Sequence, residues 1–146
     1  MDTALIVTVV VALTAWVFLL RSSMISMIWG PVVRSAGGDA VWAAVTSVVL
    51  YIAGLAAFAL VVLAVHWALG GLPARALVLV LSVLYAPVAF MPAPDRGARP
   101  YEDVRRALVR AGATEEQARA CAWATGPLAF AGLAVVGGAV ISVFAG

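Results

Sequence analysis

The chain has 146 residues, 65% of them hydrophobic and only 11% charged, with a net charge of +2 and a mean hydropathy of +1.11. A soluble domain of this size carries about 25% charged residues, so this chain has too little polar surface to cover a water-facing fold and reads as an integral membrane protein. Every basic residue is an arginine, and a single cysteine, Cys121, excludes an internal disulfide and a cysteine-built metal centre.

Ala4 to Leu20 is apolar apart from Thr8 and Thr14. At 1.5 Å per residue it makes a short spanning helix of about 26 Å. Its start has no basic residue and no small-x-small cleavage pattern follows, so the stretch reads as an uncleaved span rather than a signal peptide. Over residues 22–33, Met24, Ile25, Met27, Ile28 and Trp29 alternate irregularly with serines, and Gly30-Pro31 is expected to stop any helix. This segment reads as an extension of the first helix in the headgroup zone, anchored by Trp29. The alternative is a re-entrant segment lining a cavity.

Arg34-Ser-Ala-Gly-Gly38 is expected to form a turn, and Asp39 is placed to cap the next helix. That helix runs from Ala40 to Leu69 with its span at about 42–66, longer than a bilayer requires. Gly70-Gly-Leu-Pro73 connects to a third span at about 74–91, which Pro87 is expected to bend or end.

A polar island from Pro92 to Arg119 then holds six of the nine arginines and five of the seven acidic residues. Within the loop 92–124 two short amphipathic helices are expected. The first, Tyr101 to Ala111, has acidic residues in its first turn, Arg110 in its last and Gly112 as its stop. Thr114-Glu-Glu-Gln117 fits a capping box that starts the second, with Glu115 placed to pair with Arg119. Gly126-Pro127 opens or kinks the last span, at about 127–145. The fold class is therefore an all-α integral membrane protein, four transmembrane helices in a bundle with a cytoplasmic helical hairpin between the third and fourth. The whole chain is one membrane domain.

Orientation follows from the arginines. Four spans place eight of them (Arg21, Arg34 and the island's six) on one side and Arg75 alone on the other. The positive-inside rule then puts the island in the cytoplasm and both termini outside, in a bacterial inner membrane. Trp16, Trp42 and Trp123 fall near the inner headgroups and Trp67 near the outer ones.

Apart from Arg75 at the very start of the third, no span as drawn contains Asp, Glu, Lys or Arg, and His66 is the only other group of that kind. It lies near the outer end of its helix without a second ligand, so no metal or cofactor is expected. Tyr51 and Tyr85 are, with His66, the candidate polar site. The hydroxyls of Thr46, Ser47, Ser82 and Ser142 are expected to bond a carbonyl one turn back or a neighbouring helix. No GxSxG, HExxH, phosphate-binding glycine loop or paired-carboxylate site is found.

Ala134, Gly138, Ser142 and Gly146 recur every fourth residue, a helix-packing stripe with its partner in this chain or another. Tyr101, Val104 and Leu108 are the candidate docking face of the hairpin. With six positive and five negative charges between Asp95 and Arg119, the island is too balanced to track nucleic-acid phosphates. These features predict a small non-enzymatic accessory, scaffold or regulatory subunit, whose partners are the lipid bilayer and other membrane subunits or further copies of itself. A small oligomeric channel or transporter is the alternative, and a lipid- or isoprenoid-acting membrane enzyme the third.

Overall fold

The computed structural model describes residues 3–94 and 99–145, and every regular element among them is helical. Four helical stretches are long and apolar enough to cross a membrane: Val10–Ser35, Ala40–Leu69, Gly71–Ala89 and Glu115–Ala145. The chain is a multi-pass helical membrane protein.

The first stretch departs from expectation. Helix α1 (Thr3–Met24) does not end at Gly30-Pro31 but passes through a π-helical turn, Ile25–Trp29, into α2 (Gly30–Ser35). A proline breaks a helix because it lacks an N–H and its ring strikes the carbonyl one turn back. The widened turn just before Pro31 relieves that clash, and Pro31 occupies the first turn of α2, where its N–H is not needed. The backbone is helical throughout 22–33 rather than irregular. Trp29 is no headgroup anchor either: Ile25, Trp29 and Val33 are at most 2% exposed, on one face.

Helix α3 (Ala40–Leu69) begins as its sequence implies. The Asp39 carboxylate accepts from the N–H groups of Val41 (2.9 Å) and Trp42 (3.1 Å). Asp39→Ala is expected to cost about 0.5–2 kcal/mol of stability, read as a lower melting temperature of the detergent-solubilised protein. Asp39→Asn, which keeps the acceptor oxygen, should remain near wild type. Gly70 and Gly71, both at positive φ, turn the chain into α4 (Gly71–Ala89). Pro87 does not end α4, which continues two residues further.

In the island, α5 (Glu102–Arg110) is followed by α6 (Glu115–Thr125). Tyr101, read as the first residue of α5, stands outside it at φ 68°, the one non-glycine residue at positive φ among those described. Gly112, at φ 103°, stops α5, and Ala113 N–H reaches back to the Leu108 carbonyl. The capping box of α6 is complete: Gln117 N–H donates to the Thr114 hydroxyl and Thr114 N–H to the Gln117 side chain. One 3₁₀ turn, Gly126–Leu128, joins α6 to α7 (Ala129–Ala145), so the island's second helix and the last apolar helix form one rod.

The core has two parts. In one, Tyr51, Leu55, Phe58 and Val62 of α3 pack with Val78 and Ala89 of α4 and Val136, Ala139 and Val143 of α7. In the other, Ile25, Trp29 and Val33 pack with Ala43, Met91, Tyr101, Val104, Leu108, Ala118 and Cys121. The island therefore does not hang free. Helix α6 lies along α3, and α5 closes over the π-turn.

Candidate functional site

The site is built on the C-terminal end of α4, where backbone carbonyls run out of backbone partners. Pro87 has no N–H for the carbonyl of Val83, and the Trp16 indole of α1 donates to it at 3.2 Å. Beyond the helix end, the Tyr51 hydroxyl of α3 donates to the Ala89 carbonyl at 2.5 Å. Arg21 supplies the rest: its Nε donates to the Met91 carbonyl at 3.0 Å and its terminal nitrogen to that of Ala93. Three side chains from two other helices thus donate to carbonyls at one helix end.

Two expectations change here. Arg21, placed by the sequence just beyond the first span, sits inside the continuous 3–35 rod and is 7% exposed, with its guanidinium donating to two carbonyls. Tyr51 is equally committed. Its ring position also explains Gly132 of α7, where a Cβ would strike the Tyr51 hydroxyl and lie 2.7 Å from the Ala89 carbonyl oxygen. Tyr85 packs against the same core cluster as Tyr51, with its ring stacked on Phe58 (centroids 4.6 Å apart, 8° between planes). His66 is exposed, with its Nδ1 3.1 Å from the Val62 carbonyl in its own helix.

Between α5 and α6 lies a cleft of about 400 Å³, lined by Arg99, Tyr101, Glu102, Arg105, Arg119 and Trp123 among others. Its ion pairs are not those the sequence suggested. Glu115 pairs with Arg105 across the α5–α6 contact rather than with Arg119 one turn along. Arg105 also holds Glu102 in a two-pronged contact (2.6 and 3.1 Å), and Arg106 adds a third bond at 3.0 Å. Among the described residues, Arg119 and Arg99 make no ion pair and are exposed. Tyr101 meets Trp123 edge-on at 5.2 Å, and Gly126 leaves room for the Tyr101 ring.

Hydrogen bonds from Arg105, with further help from Arg106, hold the Glu102 carboxyl down to about 2, against an ordinary value of 4.5. A depressed folded-state value contributes stability that is complete above the ordinary value and is lost as pH falls. The melting temperature is therefore expected to drop between about pH 4.5 and pH 2, and Glu102→Gln should flatten that limb of the profile. An unchanged limb in the variant would show that Arg105 and Arg106 do not hold this carboxylate.

The remaining predicted residues divide cleanly. Tyr101, Val104 and Leu108, expected as a docking face, are 9%, 0% and 0% exposed. They attach the island to the chain's own core because α5 lies against the π-turn, so they offer no free surface. Ala134, Gly138 and Ser142 face outward, and a Cβ added at Gly137 or Gly138 would meet nothing within 4 Å. Gly146 lies outside the described residues. The inward face of α7 is instead Ala129, Gly132, Val136, Ala139 and Val143. Thr46, Ser47 and Ser142 bond carbonyls within their own helices, and Ser47 Oγ lies 3.4 Å from the buried Cys121 sulfur. Ser82 alone of these hydroxyls is buried with no hydrogen-bond partner. Compared with protein-family models, curated proteins and solved structures, the chain matches none.

Proposed function

We propose that the chain is a small non-enzymatic accessory or scaffold subunit of a bacterial inner-membrane assembly, joined to a further copy of itself through the small-residue face of α7. The observation that carries this reading is the division of α7: Ala129, Val136, Ala139 and Val143 pack inward, while Ala134, Gly138 and Ser142 lie exposed, with open space above Gly137 and Gly138, on an outer surface that also carries Phe130, Leu133, Ile141 and Phe144. In lipid, helices associate through close backbone approach rather than hydrophobic drive, and small residues every fourth position allow that approach. The face is uncharged and self-complementary, as contact between two identical helices requires.

A structural role is supported by where the polar side chains go. Trp16, Arg21, Tyr51, Thr46, Ser47 and Ser142 all bond backbone carbonyls. In this reading the arginine-rich end faces the cytoplasm, as eight arginines against one favour.

Cysteine placed in a Cys121→Ala background tests the contact. Gly138→Cys is expected to form an inter-chain disulfide on mild oxidation in native membranes, and Leu133→Cys, on the other edge of the exposed surface, is expected to form far less. Equal yields at both positions, or a strictly monomeric particle by native mass of gently solubilised protein, would sink the proposal.

A further inference from the structure

By count, the island's charges nearly cancel; in space they do not. Glu102 and Glu115 are both engaged by Arg105, and Arg106 takes a second share of Glu102. Of these carboxylates only Glu102 lines the cleft, against Arg99, Arg105 and Arg119. Arg99 and Arg119 line the same cleft with exposed guanidinium groups and no ion pair among the described residues.

Trp123 follows Arg119 by one turn on α6, so both project from one side of the rod. It is 57% exposed, and the residues beyond it lead into the apolar α7. The cleft thus sits where polar chain gives way to lipid-compatible chain, with an indole at its rim. That is the level at which Trp settles in a bilayer and at which lipid phosphates lie.

We propose that this cleft binds the phosphate of an anionic phospholipid headgroup, with Arg99 and Arg119 as the cationic partners and Trp123 against the glycerol region. Planar guanidinium groups match the paired oxygens of a phosphate. The Tyr101–Trp123 edge contact holds the rim in place, and Gly126 is required beneath it because any side chain there would displace the Tyr101 ring.

The test uses the full chain in detergent micelles doped with phosphatidylglycerol or phosphatidylcholine, with retained lipid read by native mass spectrometry. Wild type is expected to retain one phosphatidylglycerol in preference to phosphatidylcholine. Arg99→Gln/Arg119→Gln should bind it about 30-fold more weakly, taking each arginine at the usual surface contribution. Arg110→Gln, at an exposed arginine of α5 that does not line the cleft, should match wild type, and Arg119→Lys should keep part of the affinity. Unchanged retention in the double variant at wild-type helix content would overturn the site. Displacement of the lipid by millimolar inorganic phosphate would overturn the lipid as its source and assign the cleft to free phosphate.

Discussion

Gly132→Ala is expected to destabilise the protein by about 1–3 kcal/mol, the usual range for forcing a methyl group into a closed core. The obstruction comes from two directions: the Tyr51 hydroxyl, and the Ala89 carbonyl oxygen at 2.7 Å from the new Cβ. A flexible side-chain tip would yield, but the carbonyl belongs to the end of α4 and is already fixed by Tyr51. Three helices meet at this one missing methyl. Thermal unfolding of the solubilised protein measures the loss. Tyr51→Phe removes one of the two obstacles, so Tyr51→Phe/Gly132→Ala should be more stable than the sum of the single losses predicts. Wild-type melting of Gly132→Ala would show that α4 and α7 do not approach as described.

Arg21→Met is the second large expected effect. Methionine keeps an apolar stem of similar reach but leaves the Met91 and Ala93 carbonyls without their donor. Each buried carbonyl stripped in this way costs about 1–3 kcal/mol. Arg34→Met, at an exposed arginine of α2, should stay within about 0.5 kcal/mol of wild type. Arg21→Lys separates charge from geometry: an ammonium restores a cation but not the forked reach to two carbonyls, so it should recover only part of the loss. Equal melting of Arg21→Met and Arg34→Met would show that the guanidinium is not holding the end of α4.

Much of the local structure was legible from local chemistry. The four apolar runs, the Asp39 cap, the Thr114–Gln117 box and the Gly112 stop each depend on residues a few positions apart. What was not legible depends on partners brought together by folding. Arg21 and Met91 are 70 positions apart and Tyr51 and Ala89 are 38 apart, and no periodicity connects them. The choice of Arg105 over Arg119 as the partner of Glu115 is likewise decided by α5 lying against α6. Gly30-Pro31 misled for a different reason. Proline's demand for space can be met by ending a helix or by widening it, and composition does not distinguish the two. The small-residue stripe had a visible spacing, but only the packing of Val136, Ala139 and Val143 assigns the opposite face to the core.

The widened turn at Ile25–Trp29 has one more effect. On a regular α-helix, residues four apart drift by about 40° per step, so Arg21, Ile25, Trp29 and Val33 would fan out over about 120°. All four are nonetheless buried, because the larger π-helical loop takes back part of that rotation. A single inward ridge therefore runs from the terminal carbonyls of α4 to the underside of α5. Seen this way, the island is seated on a keel whose other end is pinned to the neighbouring helix.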